Sequence, residues 1–206
     1  MSFARFSPSQ VFVSHGPTGA DRVRKVLNGC GAAKPIGTLP NSASRARDVR
    51  SDRQFRDVMG RFATGVTVVT SRGGDGIPCG LTANAVSSVS LDPPLVLVCI
   101  TRHSGTLDRI RQSKYFAVSF LTTGQQDVSN RFATLPEAER FDGVEFVEKA
   151  TGAPVLKGAL GWVDCRVHSE FEAGDHSIVV GEVQACDAEE GDPLLYFGGG
   201  YRSIAP

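Results

Sequence analysis

The sequence lacks close cysteine pairs and long apolar runs, and only 8% of its residues are aromatic. Its five cysteines lie far apart and form no Cys-x-x-Cys motif, which excludes a zinc knuckle and a dithiol redox site: Cys30, Cys79, Cys99, Cys165 and Cys186. No apolar run approaches the roughly 20 residues of a membrane-spanning helix, and the N-terminus has no secretory apolar core. We therefore expect a cytoplasmic protein with reduced thiols and no membrane anchor.

The sequence also lacks a net charge, because 22 basic side chains balance 22 acidic ones. This balance argues against a nucleic-acid partner. Residues 1–53 nevertheless carry nine basic and three acidic side chains and are rich in glycine, proline and serine. We predict a flexible basic extension over residues 1–50, with a short helix at 21–27, and a folded domain over 51–206. The extension is similar in composition to a transit peptide, and the alternatives are an arm that docks on an acidic partner or a solvated tail.

The folded part is predicted to be mainly β. Ser51 and Asp52 indicate a helix start, and Phe55, Val58 and Phe62 continue an apolar stripe at helical spacing together with Met59. Thr64 and Gly65 are predicted to end this helix. Two further helices are predicted at 104–112, where Leu107 and Ile110 have helical spacing, and at 125–133. Apolar, β-branched segments predict strands at 66–70, 77–83, 95–100, 115–121, 160–171, 177–186 and 194–197, and residues 172–175 predict a hairpin turn. Short connections and few helices favour a closed or partly open β-barrel.

Several catalytic signatures are missing. The sequence has no Gly-x-Ser-x-Gly elbow, no Walker loop, no dinucleotide glycine fingerprint and no histidine pair at metal-binding spacing, so we expect no metal. Two polar segments remain. Residues 80–90 combine small side chains, hydroxyls and an amide, which suits close approach to a flat ligand. Residues 101–106 lie where a strand is followed by a helix, whose N-terminus favours an anion.

Read in order, the motifs resemble the short-chain flavin reductase family. The resemblance is carried by residues 62–70, 80–85, 87–96, 174–183 and 193–197 together with Tyr201. That family has the FMN-binding split-barrel fold and is typified by the reductase components of two-component monooxygenases. The resemblance spans residues 52–204 and says nothing about residues 1–50.

The resemblance implies a site, residue by residue. The flavin ring is expected against Gly80, Leu81, Thr82, Asn84 and Ala85. The flavin phosphate is expected near Thr101, Arg102, His103, Ser104 and Arg131. His176 is expected on the nicotinamide side as the catalytic histidine, where it orients NAD(P)H, and Tyr196, Phe197 and Tyr201 are expected beside the nicotinamide. Gly198, Gly199 and Gly200 depart from the family, which often has a charged residue in that stretch.

The implied function is an NAD(P)H:flavin oxidoreductase. It would transfer hydride from NADH or NADPH to FMN or FAD, supply reduced flavin to a separate monooxygenase, and act as a homodimer. NADH is favoured because the sequence offers no dedicated basic cluster for a 2′-phosphate. The alternatives are a flavin carrier without NAD(P)H activity, or a split-barrel flavoprotein that reduces another acceptor such as a corrinoid.

Overall fold

The computed structural model describes the backbone of residues 49–204 and the side chains of residues 53–204. The predicted basic extension, apart from its last two residues, lies outside the described residues. So do its predicted helix at 21–27, His15 and Cys30.

Three α-helices and twelve strands form the described part of the chain. The helices are α1 (Val49–Met59), α2 (Gly105–Ser113) and α3 (Gln126–Thr134), and two 3₁₀ turns lie at Thr123–Gln125 and Glu137–Glu139. The strands are β1 (Thr64–Gly65), β2 (Thr67–Arg72), β3 (Pro78–Ala83), β4 (Val86–Leu91), β5 (Pro94–Thr101), β6 (Tyr115–Phe120), β7 (Phe146–Glu148), β8 (Pro154–Leu156), β9 (Gly161–Ala173), β10 (His176–Ala188), β11 (Leu195–Phe197) and β12 (Gly200–Arg202).

Seven of these strands form one antiparallel sheet in the order β3-β2-β6-β9-β10-β5-β4. Its longest pair, β9 and β10, is joined by the turn that the sequence predicted at Gly174 and Asp175. The sheet curves so that β3, at one edge, lies close to β5 near the other edge. This arrangement confirms the mainly β, partly open barrel with few helices. Two smaller sheets, β1-β11-β12 and β7-β8, complete the fold.

The interior of the barrel depends on close packing at a bulge. The pairing of β9 with β10 shifts register between Val180 and Gly181. A Cβ added at Gly181 would lie 2.5 Å from Phe116 Cζ and 2.8 Å from Cys165 Cβ, so only glycine fits there. Leu107 and Ile110 of α2 are fully buried in the same cluster, as their helical spacing predicted.

The structure corrects the prediction for the first helix. It ends at Met59, whereas the sequence predicted its end at Thr64 and Gly65. The predicted apolar stripe is exposed to solvent: Phe55 is 66% and Phe62 is 69% exposed, and Val58 and Met59 are also open. Helical spacing identifies an amphipathic face. It does not show whether another part of the protein covers that face.

Several strands were not predicted. Strand β4 is rich in serine, which has a low strand propensity, and its residues 87–90 were assigned only to the small-residue run. Strands β7, β8 and β12 contain three residues each and are too short for a periodic pattern. Among residues 49–204, no helix is both long and apolar enough to cross a bilayer.

Candidate functional site

Three cavities meet at Asn84, which follows the end of β3. The largest, about 1120 Å³, is a groove between the end of α1, β1 and β4, and we call it the helix groove. The central cavity, about 490 Å³, lies between the ends of β3 and β5 and the start of α2. The tyrosine cavity, about 430 Å³, is lined by Tyr196 and Tyr201. Asn84 lines all three cavities, and its Nδ2 donates to Thr64 Oγ1 at 3.2 Å.

The central cavity brings together residues that lie far apart in the sequence. Eight of the residues predicted to form the site line it: Leu81, Thr82, Asn84, Ala85, Thr101, His103, Ser104 and His176. The reason is the sheet order, because β5 pairs with β10 and places Thr101 opposite His176. One wall is formed by short side chains at the end of β3, and the opposite end of the cavity is formed by the first residues of α2.

The start of α2 supplies hydrogen-bond donors to this cavity. Ser104 is the N-cap residue, with an extended backbone, but its side chain makes no capping hydrogen bond. The first N–H groups of a helix lack intrahelical acceptors and form the positive end of the helix dipole. Ser104 and Gly105 both line the cavity. The arrangement therefore suits a negatively charged group at this end.

Two charged residues that line the same cavity were not predicted from the sequence. Arg140 and Glu137 line the central cavity and come from the segment after α3. Arg140 Nη1 donates to the carbonyl of Gly80 at 2.7 Å, and Arg140 Nε donates to the carbonyl of Leu135 at 2.9 Å. Both acceptors are uncharged backbone carbonyls. These two hydrogen bonds therefore hold the guanidinium in place without neutralising its charge. In the sequence, Arg140 is distinguished only by the phenylalanine that follows it, Phe141. An arginine followed by a phenylalanine is too common to indicate a site.

Four of the predicted flavin and nicotinamide residues lie outside the lining of the three cavities. Gly80 packs against Phe132, where a Cβ would come within 2.9 Å of the ring. Arg102 pairs with Glu172 at 3.3 Å, and Arg131 Nη1 donates to the carbonyl of Glu139 at 2.8 Å. Phe197 is half-buried in β11.

His176 begins β10 at the edge of the central cavity. Its Nδ1 lies 2.8 Å from Asp175 Oδ1, and 41% of its side chain is exposed. A carboxylate on one ring nitrogen orients the imidazole and leaves Nε2 for other partners. The neighbouring backbone is also held, because the N–H of Arg102 donates to the carbonyl of Asp175 at 3.0 Å.

The tyrosine cavity contains two of the predicted nicotinamide residues. Tyr196 and Tyr201 pack edge to face with ring centroids 5.8 Å apart. The Tyr201 hydroxyl donates to Asn130 Oδ1 at 2.8 Å and lies 2.9 Å from Ser129 Oγ. Since Thr82 and Asn84 line this cavity and the central one, the tyrosines lie close to the predicted flavin surface.

Three of the described thiols, Cys79, Cys99 and Cys165, do not supply a nucleophile for this site. Burial raises the pKa of Cys79 and Cys165 to about 12. Burial also raises the pKa of Cys99, which lines the central cavity and the helix groove. Thiols with raised pKa values stay protonated at neutral pH and react slowly.

Known proteins match the part of the chain that contains these cavities. A family model described as "Flavin reductase like domain" matches residues 59–205. Among curated relatives, a Rhizobium meliloti protein named "Probable flavin reductase" is 42% identical over 154 residues, which are 75% of this chain and 49% of that protein. This chain thus spans about half the length of that relative. The reductase subunit HsaB of a flavin-dependent monooxygenase from Mycobacterium tuberculosis is 39% identical over 157 residues, 75% of this chain and 83% of the subunit.

A solved structure is similar over the same region. The NADH:FAD oxidoreductase SgcE6 of Streptomyces globisporus, in complex with NAD and FAD fragments, has 39% sequence identity and a TM-score of 0.72. The match covers 79% of this chain and 98% of the other. The split-barrel resemblance seen in the sequence is confirmed.

Proposed function

Because this chain belongs to the flavin reductase like domain family, we propose that it is an NAD(P)H:flavin oxidoreductase that supplies reduced flavin to a separate monooxygenase. The observation that carries the proposal is the central cavity, where a wall of small residues connects the α2 N-terminus and Arg140 with His176. The wall of small residues suits the tricyclic ring of a flavin, and the α2 N-terminus and Arg140 suit its anionic tail. His176 suits a nicotinamide.

The residues of the central cavity fit a flavin. Ala83 and Ala85 have side chains short enough for a ring to approach the backbone, and the uncapped start of α2 suits a phosphate. Arg140 adds a positive charge at that end. We assign the phosphate to Ser104, Gly105 and Arg140, and we place Arg102 and Arg131 in supporting positions because they bind Glu172 and the Glu139 carbonyl.

The chemistry of the reaction belongs to the bound cofactors: the nicotinamide supplies a hydride and the flavin ring accepts it. The residues of the central cavity would hold the flavin and the nicotinamide next to each other, which is the contribution of the protein to the rate. In our proposal His176, oriented by Asp175, contacts the nicotinamide side and limits the access of water. Backbone N–H groups and the Asn84 amide provide donors near the polar edge of the flavin. No side chain needs to abstract a proton.

We propose NADH as the preferred reductant. Two arginines beside the central cavity have protein partners: Arg102 binds Glu172, and Arg140 binds two carbonyls. These contacts engage both guanidinium groups and therefore favour NADH, which has no 2′-phosphate. The names of SgcE6 and of related reductases agree with this choice. We propose FMN or FAD as the flavin, since both carry the ring and the phosphate that the lining of the central cavity suits.

We also propose that the active protein is a homodimer. The apolar face of α1 is exposed beside the helix groove, and β4, an edge strand, exposes Val89 and Leu91. An apolar face of this size next to an unpaired sheet edge is typical of an interface. A second copy of the chain would cover both and close the groove.

Steady-state oxidation of NADH and NADPH with added FMN, FAD or riboflavin tests the proposed function. We expect flavin-dependent loss of absorbance at the nicotinamide band, faster with NADH than with NADPH. A flavin carrier without reductase activity would bind the flavin but consume no nicotinamide, and this outcome would overturn the proposal. Adding a purified flavin-dependent monooxygenase with its substrate then checks that the reduced flavin is transferred.

A further inference from the structure

Glu137 places a carboxylate at the anion-binding end of the central cavity. It lines the cavity together with Ser104, Gly105 and Arg140. A Cβ added at Gly105 would lie only 2.5 Å from Glu137 Oε2, so the carboxylate packs directly on the first residue of α2. Glu137 therefore occupies the position where the dipole of α2 and the proposed flavin phosphate meet.

The charge of Glu137 is only partly neutralised. Its Oε1 accepts a hydrogen bond from Arg109 Nε at 3.1 Å. Arg109 also binds Asp75, through Nη1, at 2.9 and 3.1 Å. The backbone N–H of Ile77 and the guanidinium of Arg109 keep the pKa of Asp75 below its usual value, so Asp75 stays ionised and stays bound to Arg109. One guanidinium thus serves two carboxylates, and the trio carries one net negative charge.

We propose that Glu137 is a specificity-determining residue that weakens the binding of flavins through repulsion of their phosphate groups. This inference rests on the function proposed above. Arg140 and the α2 N-terminus attract the phosphate, and Glu137, about one-third exposed, opposes them from the same cavity. The repulsion acts on oxidised and reduced flavin alike, because the phosphate does not change during the reaction. Glu137 therefore shortens the residence time of both forms of the flavin. A reductase that supplies reduced flavin to another enzyme must release that flavin.

The test compares three ligands in the Glu137→Gln variant, which keeps the shape of the side chain and removes its charge. Dissociation constants for FMN, FAD and riboflavin are measured by flavin fluorescence or calorimetry. We expect FMN and FAD to bind about 3- to 10-fold more tightly to the variant, and the gain to shrink as salt is added, as for one screened charge–charge interaction near a protein surface. Riboflavin, which has no phosphate, is expected to bind as it does to the wild type.

Two matched variants control for charge and folding. Glu139→Gln removes a carboxylate two residues away, in the same 3₁₀ turn but exposed and outside the cavity lining, and we expect no change for any ligand. Glu137→Asp keeps the charge, and we expect FMN affinity close to that of the wild type. Unchanged or weaker FMN binding in Glu137→Gln would overturn the inference, and so would an equal gain for riboflavin and FMN.

Failure of the function itself looks different. If the wild-type protein binds neither riboflavin nor FMN and oxidises no NADH in their presence, the proposed function fails and the inference about Glu137 fails with it. If the wild type binds flavin and oxidises NADH but the variants show no difference between riboflavin and FMN, only the role of Glu137 is overturned.

Discussion

Asn84 and His176 illustrate how single residues acquire a role from their surroundings. Asn84 lies at the junction of three cavities, with its amide oriented by the hydroxyl of Thr64. His176 lies at the edge of the central cavity, with Asp175 Oδ1 next to its Nδ1. Neither side chain is unusual by itself. Both lie where the proposed flavin and nicotinamide surfaces meet, so substitutions at these positions test the proposed site.

His176→Ala tests the nicotinamide side of the site. We expect the KM for NADH to rise about 2- to 10-fold, the effect of losing one polar contact, while the flavin dissociation constant changes by less than about twofold. Initial rates at varied NADH, together with flavin titration, measure both quantities. The control is His168→Ala in β9, since His168 is exposed and lines none of the three cavities. Equal NADH kinetics in wild type and His176→Ala would remove His176 from the site.

At the scale of elements, one ion-pair network connects α2 with the β9–β10 hairpin. Arg111 donates to both carboxylate oxygens of Glu170, with the shortest bond, from Nη2 to Oε1, at 2.6 Å. It also reaches Asp108 on its own helix and the buried Ser177 Oγ at 3.3 Å. Since Ser177 directly follows His176, the network holds the hairpin end that carries the proposed nicotinamide residue.

Glu170→Gln measures what this network contributes to stability. Hydrogen bonds from Arg111 hold the pKa of Glu170 below its usual value. A depressed folded-state pKa stabilises the protein above the unfolded-state pKa, and that stabilisation disappears as pH falls through the folded-state pKa. We expect the substitution to lower the free energy of unfolding by about 0.5–1 kcal/mol at pH 7, limited by solvent screening of a partly exposed pair. The difference should narrow in acid.

Denaturant unfolding at a series of pH values provides the measurement. Glu172→Gln is the matched control on β9, because Glu172 is more exposed and its pair with Arg102 is longer, at 3.3 Å. We expect a smaller loss there. If Glu170→Gln and the wild type are equally stable at every pH, the network contributes nothing.

At the scale of the whole molecule, the exposed apolar side chains of α1 and of Phe62 are the basis of the proposed homodimer. Phe55, Val58, Met59 and Phe62 are 50–69% exposed, and neighbouring exposed apolar side chains are typical of an interaction surface. The helix groove lies against this face and borders Asn84. A second copy that covers α1 would therefore complete the walls of the proposed active site.

The double variant Phe55→Lys/Val58→Lys tests this assembly. We expect light scattering coupled to size exclusion to give twice the chain mass for the wild type and a single chain mass for the variant, because two charges on an apolar interface oppose association. Phe171→Lys, at an equally exposed residue near the hairpin end, should leave the mass unchanged. A monomeric wild type, or a variant that still dimerises, contradicts the proposal.

The sequence by itself determined the local elements and the family. Helical spacing placed Leu107 and Ile110 on one short helix, apolar and β-branched segments located six of the seven strands of the main sheet, and residues 172–175 marked the turn of the long hairpin. These features depend on neighbouring residues only. The motifs from residue 62 to Tyr201 were specific enough to identify the flavin reductase family.

Only the tertiary structure decided which charges share the site. Glu137 and Arg140 follow α3, far in sequence from Ser104, and they meet it because the segment after α3 passes over the start of α2. Likewise, the stripe on α1 was visible as a pattern, but its exposure was not. Contacts between distant segments depend on how the sheet curves and where loops cross it, and no local pattern of residues specifies that geometry.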